Sequence, residues 1–163
     1  MLRYQLYDCS TEKTPLSGEI EYIKNYLEIQ HMRNNHKLKL EFVQSGNPEE
    51  LVIAPFILMP FIENAFKHGS EKSLGDVLIR IELKIEEDEI IFSVTNSKQA
   101  PSRKIALPLK KSGGIGLQNV MRRLDLIYPG RYKLEIQDNE SEYNLHLHLK
   151  TEHYEPYSLH NSR

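Results

Sequence analysis

The chain has 163 residues, 39% hydrophobic and 27% charged, a composition typical of one globular domain with its own core. Its 21 basic and 23 acidic side chains give a net charge of −2, which argues against a nucleic-acid partner. A single cysteine excludes an internal disulfide framework and favours a reducing, cytoplasmic location. No signal peptide is recognisable, and the longest apolar run, 51–62, is too short to span a bilayer.

Hydrophobic periodicity predicts the element order α-β-α-β-β-α-β-β. Apolar residues at helical spacing predict helices over 17–33, 55–68 and 116–128. Alternating apolar and polar residues predict strands over 37–43, 77–85, 89–96, 131–138 and 142–150. Residues 97–113 lack periodicity and carry five basic residues, which is typical of a functional loop.

Alternating strands paired as hairpins need cover on only one face, and three amphipathic helices can supply it. The sequence therefore predicts an α+β fold: a two-layer sandwich with a mixed, mostly antiparallel sheet covered on one face by three helices.

The segment "PFIENAFKHG", residues 60–69, places four polar side chains in an otherwise apolar helix. Asn64, Lys67 and His68 share one face, because they are spaced i, i+3 and i+4. One interpretation is a solvated face on which Glu63 pairs with Lys67. The other is a site for metal and phosphate, since an amide oxygen suits Mg²⁺ and a lysine balances phosphate charge.

A second motif, "SGGIGLQNV" at residues 112–120, opens the following helix. Its glycines free the backbone to approach a ligand, and the N–H groups of a helix start attract anions. The structural alternative is a flexible hinge that ends the loop. The motif is not a dinucleotide fingerprint, because Asn119 occupies the third glycine position, and it is not a P-loop, because no Gly-Lys-Ser/Thr follows.

Together these motifs resemble the gyrase–Hsp90–histidine kinase ATPases. The first is similar to the N box in the form typical of LytS-type sensor histidine kinases, Glu-Asn-Ala-x-Lys-His-Gly. "GGIGLQNVMRRL" resembles the G2 box, and "YLEIQHMRNN" the helix that precedes the ATPase domain. The resemblance covers about residues 2–150 and implies a Bergerat-type ATP-binding fold.

The resemblance implies catalytic roles for the first motif. Asn64 would hold the Mg²⁺ that bridges to the ATP phosphates. Lys67 and His68 would line the phosphate side, and Glu63 would orient a water molecule or Lys67.

The resemblance also implies that the second motif binds phosphate, with residues 97–112 as a lid. Backbone N–H groups would cradle the phosphates, and two polar side chains one turn apart would complete that edge. These residues are Gly114, Gly116 and Leu117 for the backbone, and Asn119 and Arg123 for the side chains.

The adenine box differs from the usual pattern. Many relatives carry Asp-x-Gly-x-Gly, whereas this chain has "NSKQA", with Asn96 at the Asp position and Lys98 at the first Gly position. An asparagine oxygen still accepts a hydrogen bond from the adenine amino group. Asn96 is therefore expected to bind the base without the usual charge.

The implied function is that of the catalytic domain of a two-component protein-histidine kinase, which needs ATP and Mg²⁺. It would pass the γ-phosphate to an upstream histidine and thence to a response regulator. Residues 1–36 would be a connector after the dimerisation and phosphoacceptor helices, 37–150 the catalytic domain, and 151–163 a polar tail. The full-length protein would be a membrane-anchored homodimer.

Three other histidines are not expected to act in catalysis. The Pro-His-Phe stretch typical of the phosphoacceptor is absent, and His31 does not match it. His146 and His148 point outward on a strand with no evident third metal ligand.

Two alternatives stay open at this point. The chain could be an anti-sigma-factor-like serine kinase of the same superfamily, against which the "ENAFKHG" motif and the leading helix argue. It could also be a non-enzymatic regulatory module whose altered adenine box marks lost nucleotide binding. The presence of Asn64, Lys67 and the glycine loop argues against a non-enzymatic module.

Overall fold

A computed structural model describes residues 13–33, 38–69, 77–98, 115–139 and 141–153. The helices are α1 (Leu16–Arg33), α2 (Met59–Gly69) and α3 (Ile115–Ile127). The strands are β1 (Thr14–Pro15), β2 (Leu38–Ser45), β3 (Leu51–Ile53), β4 (Val77–Glu86), β5 (Glu89–Ser97), β6 (Tyr132–Asp138), β7 (Glu142–Lys150) and β8 (Glu152–His153).

The larger sheet has the strand order β2-β4-β5-β7-β6. Strands β2 and β4 run parallel, with Leu38 opposite Val77, and all other neighbours are antiparallel. Strands β4 and β5 form one hairpin and β6 and β7 another, so the pairing of β5 with β7 joins two separate hairpins. In this order β5 is the central strand of the sheet.

One face of this sheet forms the core because alternate side chains of β4, β5 and β7 point towards it. The helical layer covers the face, with α2 packed on β4 and β5 and α3 packed against α2. Helix α1 lies against β2 and the small sheet. The buried residues of the three helices are Leu16, Glu19, Ile20, Ile23 and Leu27 of α1, Met59, Phe61, Ile62, Ala65 and Phe66 of α2, and Leu117, Val120 and Leu124 of α3.

Helix α2 begins at Met59, so the predicted start at Pro55 was wrong. Phe56 has a φ of 54°, a left-handed conformation that interrupts a right-handed helix. Contacts from distant residues fix this turn: the Phe56 N–H donates to Glu19, and the Ala54 N–H donates to the Tyr128 hydroxyl. Local periodicity carries no information about such contacts.

A second, three-stranded sheet of order β1-β3-β8 was not predicted. It pairs Thr14 with Ile53 and Leu51 with His153, so it draws on both ends of the described chain. Thr151 is buried, and its N–H and hydroxyl both donate to the Asp88 carbonyl oxygen at 2.7 and 2.8 Å. Regular structure thus continues three residues into the segment assigned to the tail.

The predicted α+β two-layer fold, with a mixed and mostly antiparallel sheet under three helices, is confirmed. Within the described ranges, no helix combines the length and apolar character that crossing a bilayer requires.

Candidate functional site

Helix α2 places the first motif at the border between core and surface. Phe61, Ile62, Ala65 and Phe66 are buried. Glu63 and Lys67 are exposed, and Asn64 between them is half-buried. The side chain of His68 lies outside the described residues. Of the polar motif side chains that can be placed, Asn64 is therefore the most buried.

Asn96 and Tyr143 lie directly opposite each other where β5 pairs with β7. Both belong to the face covered by the helices, and their exposed fractions are 0% and 2%. Directly opposed residues in an antiparallel pair have Cβ atoms about 5 Å apart. The Asn96 side chain and the tyrosine ring are therefore neighbours inside the core.

Each of these two side chains has a polar atom without a hydrogen-bond partner among the described residues. They are Oδ1 of Asn96 and the hydroxyl of Tyr143. The other polar atom of Asn96, Nδ2, donates to the Ser97 carbonyl oxygen at 3.3 Å. Because an unsatisfied buried polar group costs about 1–3 kcal/mol, such atoms require an explanation.

Asn64 connects helix α2 to this pair. Burial raises the pKa of Tyr143 to about 12, while its contact with the Asn64 side chain lowers the pKa and the charge of Asp138 raises it. The phenol therefore keeps its proton at physiological pH, and that proton has no acceptor among the described residues. We call Asn64, Asn96 and Tyr143 the asparagine–tyrosine cluster.

The end of β5 next to this cluster is tied to the β6–β7 turn. Lys98 pairs with the Asp138 carboxylate and donates from Nζ to the Asn139 carbonyl oxygen at 2.9 Å. Its backbone N–H donates to the Ser141 carbonyl oxygen at 2.7 Å. The lid was predicted to begin at residue 97. In the structure Ser97 is the last residue of β5 and Lys98 is held by these contacts, so neither residue belongs to a lid. Residues 99–112 lie outside the described residues.

Helix α3 presents the second motif. Gly116 and Asn119 are exposed and Leu117 is buried, whereas Gly114 lies outside the described residues. A Cβ atom added at Gly116 would meet no described atom within 4 Å, so packing among the described residues does not require a glycine. Because glycine has no side chain, a ligand can approach its backbone closely at a helix start.

Arg123 was predicted to complete the phosphate edge, and in the structure it makes a contact with the backbone. Its Nη2 donates to the Pro55 carbonyl oxygen at 2.8 Å. The arginine thereby joins α3 to the turn before α2. We call Glu19, the turn residues 54–58, Arg123 and Tyr128 the turn cluster.

Tyr143 and Glu19 were not among the predicted site residues. A signal for Tyr143 existed: it is the only residue with a polar atom on a strand face that otherwise holds Leu145, Leu147 and Leu149. Glu19 falls four residues before Ile23 on the apolar stripe of α1, and that position could have marked it.

His31, His146 and His148 are all exposed. Among the described residues, no group of three or more His, Cys, Asp or Glu side chains is placed to hold a metal ion.

Sequence comparisons find similarity to histidine kinases over part of the chain. The sequence model of the histidine kinase family matches residues 1–38. The sensor protein kinase HptS of Staphylococcus aureus is 36% identical over 83 residues, which make up 51% of this chain and 16% of HptS. The chain therefore corresponds to a small part of that relative's length.

Comparisons of fold cover more of the chain. The catalytic domain of histidine kinase ThkA superposes with a TM-score of 0.54 at 16% identity, covering 85% of this chain and 93% of that domain. The fold is that of a histidine kinase catalytic domain. The mycobacterial sensor histidine kinase MprB gives 0.55 at 13% identity over 88% of this chain and 99% of its own. ThkA in complex with response regulator protein TrrA gives 0.56 at 16% identity, over 86% and 41%.

The asparagine–tyrosine cluster thus lies in a fold similar to that of a histidine kinase catalytic domain. The prediction of an ATP-binding catalytic domain of a two-component kinase is supported by the sequence match to a sensor kinase and by the fold of kinase catalytic domains. The assignment of individual residues depends on the geometry described above.

Proposed function

We propose that this chain is the ATP-binding catalytic domain of a LytS-type sensor histidine kinase and that it binds Mg-ATP at the asparagine–tyrosine cluster. The observation that carries the proposal is the pair of buried atoms without partners, Oδ1 of Asn96 and the hydroxyl of Tyr143. A bound base that supplies one donor and one acceptor would satisfy both.

The two free atoms match adenine in kind. Oδ1 of Asn96 is an acceptor and suits the exocyclic amino group, whereas the Tyr143 hydroxyl is a donor and suits a ring nitrogen. Adenine offers this donor beside an acceptor, but guanine presents two acceptors, O6 and N7, on the corresponding edge. The neutral pair therefore favours adenine although it lacks the usual aspartate.

Asn64 extends the proposed site from the base towards the phosphates. Its amide oxygen is a suitable Mg²⁺ ligand, and the exposed Lys67 one turn later supplies positive charge. When bound, Mg²⁺ neutralises phosphate charge. Gly116 offers bare backbone at the start of α3, and Leu117 follows it. Roles for Glu63, His68, Gly114, Asn119, Arg123 and the remainder of the lid stay predictions.

The activity of the whole protein is also a proposal. HptS is named a sensor protein kinase, and ThkA has been solved with a response regulator. By analogy, this domain would deliver the γ-phosphate to a histidine on upstream helices, and a response regulator would receive it. The domain would work in the cytoplasm as part of a membrane-anchored homodimer.

The test is calorimetric titration of the chain with ATP, with ATP plus EDTA, and with GTP. We expect ATP to bind more tightly with Mg²⁺ than without it and GTP to bind at least about tenfold more weakly, because one mismatched polar contact costs about 1.4 kcal/mol. Absence of ATP binding would contradict the proposal and favour the non-enzymatic module.

A labelling experiment with γ-labelled ATP tests whether the phosphoacceptor histidine lies on the upstream helices and not on this chain. Phosphoryl transfer needs the acceptor about 3–3.5 Å from phosphorus, and His31 is exposed on α1. We expect no label on this chain alone and acid-labile label once the upstream helices are joined to it. Acid-labile label on this chain, removed by His31→Gln, would mean that the acceptor had been misplaced.

A further inference from the structure

A buried carboxylate on α1 holds the turn that leads into α2. Glu19 is 0% exposed, its Oε2 accepts from the Phe56 N–H at 2.9 Å, and its Oε1 accepts from the Leu58 N–H at 3.4 Å. Carboxylates are rarely buried unless hydrogen-bonded or paired. The positive charge of Arg123, from α3, also acts on this group. The backbone N–H groups of the turn therefore stabilise the buried Glu19 side chain.

The turn has a conformation that needs such support. Phe56, with its φ of 54°, is in the left-handed region, which costs a residue with a side chain about 1–2 kcal/mol. The two N–H groups that Glu19 binds lie on either side of Ile57, directly before the first residue of α2. The direction in which α2 leaves the turn therefore depends on this carboxylate.

Aromatic side chains on the same face of α1 extend the contact along α2. Tyr22 meets Phe56 edge to face, with ring centroids 5.1 Å apart, and Tyr26 meets Phe66 at 5.6 Å. The two tyrosines follow Glu19 by three and seven residues, so all three lie on one stripe of α1. Phe66 is two residues beyond Asn64. Helix α1 therefore contacts α2 and its leading turn on both sides of Asn64.

We propose that Glu19 is a positioning residue through which helix α1 sets the placement of Asn64, and hence the affinity for Mg-ATP. The distance involved is short, since Asn64 lies about 7.5 Å along the helix axis from Met59 at 1.5 Å per residue. A shift of α1 relative to the turn would therefore also shift the position of Asn64. The nucleotide part of this inference rests on the proposed function, whereas the placement of Asn64 does not.

Glu19→Gln tests the inference with almost no change of volume. Gln has one acceptor oxygen and one donor nitrogen, so it can accept from only one of the two N–H groups and places a donor against the other. We expect the NMR signals of the Asn64 side-chain amide and of the Phe56 and Leu58 N–H groups to shift in the folded variant. We expect the affinity for Mg-ATP to fall about tenfold, within the usual range of coupling between sites.

Glu21→Gln is the matched control, because Glu21 is exposed on the same helix and its replacement makes the same change of charge. It should leave the Asn64 signals and the affinity unchanged. If Glu19→Gln does not fold, Tyr22→Leu acts on the same turn through Phe56 and should shift the same signals in the same direction.

Each outcome decides between the two proposals. Unshifted Asn64 signals in folded Glu19→Gln, or in Tyr22→Leu when that variant is used, would overturn the positioning role. Shifted signals with unchanged Mg-ATP affinity would overturn the link to nucleotide binding. If the unmodified chain binds no ATP, the proposed function fails, while the NMR signals still decide whether Glu19 positions Asn64.

Discussion

The turn cluster and the asparagine–tyrosine cluster are both polar groups buried under the helical layer, but only the first has its main polar groups satisfied by the protein. In the turn cluster, the Glu19 carboxylate, the Arg123 guanidinium and the Tyr128 hydroxyl each bond a backbone group of residues 54–58. In the other cluster, Asn96 and Tyr143 each leave a polar atom without a described partner. A satisfied polar cluster specifies structure, whereas an unsatisfied one indicates a ligand.

This difference predicts how each cluster responds to substitution. Changes in the turn cluster should cost stability, and they should reduce binding only through the position of α2. Changes in the asparagine–tyrosine cluster should reduce nucleotide binding and leave the stability of the free domain nearly intact.

The largest effect is expected at Asn64. Asn64→Ala should lower the affinity for Mg-ATP by at least about 100-fold, which corresponds to about 3 kcal/mol, because the proposed metal ligand is lost. The free energy of unfolding should change little, since the side chain is only half-buried. Calorimetry and denaturant unfolding measure the two quantities.

Asn144→Ala serves as the control for this substitution. Asn144 lies on β7 beside Tyr143 but belongs to the opposite face of the sheet, where it donates to Glu142 at 2.8 Å. Its replacement should preserve Mg-ATP affinity. Unchanged affinity in Asn64→Ala would remove Asn64 from the site.

The next largest effect concerns pH and the turn cluster. Burial raises the pKa of Glu19 from 4.5 to about 7, against backbone hydrogen bonds from Phe56 and Leu58 and the charge of Arg123, which lower it. Because the folded chain holds this proton more tightly than the unfolded chain, the resulting stabilisation is fully present below pH 4.5 and is lost as the pH rises through about 7. The total is at most about 3.5 kcal/mol, at about 1.4 kcal/mol for each of the roughly 2.5 pKa units between 4.5 and 7.

Denaturant unfolding of the unmodified chain and of Glu19→Gln at about pH 5 and about pH 8 checks this prediction. The stability of the unmodified chain relative to the variant should decrease towards the higher pH. Using the difference between the two proteins cancels the titration of the seven histidines they share. A difference that is the same at both pH values would contradict the prediction.

A smaller effect is expected when the free acceptor of Asn96 is replaced by an apolar group. Asn96→Leu removes the unsatisfied Oδ1 together with the bond from Nδ2 to Ser97, so the free domain should be as stable as before or more stable by about 1 kcal/mol. Its affinity for ATP should fall at least about tenfold. Thermal unfolding with and without Mg-ATP gives both values, and a loss of stability without loss of binding would reverse the assignment.

How far the sequence predicted this molecule depends on how local the determining contacts are. The strands of the larger sheet followed from alternation, as in β4, where every second residue from Val77 to Ile85 is buried. The start of α2 did not, because Glu19 holds its leading turn from 37 residues away. The small sheet was not predicted either, because its strands are two or three residues long and pair distant segments.

The site was predictable only in part for the same reason. Asn64 and Asn96 were predicted from their motifs, but nothing in the sequence showed that β5 would pair with β7 and place Tyr143 opposite Asn96. Arg123 was assigned to phosphate from its spacing after Asn119, whereas its contact with Pro55 arises from the packing of α3 beside the turn. A motif indicates the chemical role of its own residues, whereas the pairing of the two hairpins determines which other residues lie beside them.

Two tyrosines allow the comparison of the clusters to be tested with one substitution. The Tyr128 hydroxyl accepts from the Ala54 N–H at 2.7 Å, while the Tyr143 hydroxyl has no described hydrogen-bond partner. Both rings are buried, so Tyr→Phe removes one oxygen at each position without changing the ring.

The most direct measurement is thermal unfolding of Tyr128→Phe and Tyr143→Phe, each with and without Mg-ATP. Tyr128→Phe should be less stable than the unmodified chain by about 1–3 kcal/mol, because it strands a buried N–H group, and it should keep the rise in melting temperature that Mg-ATP produces. Tyr143→Phe should match the unmodified chain without nucleotide and lose most of that rise. Equal stabilisation of both variants by Mg-ATP would contradict the claim that the unsatisfied cluster is the nucleotide site.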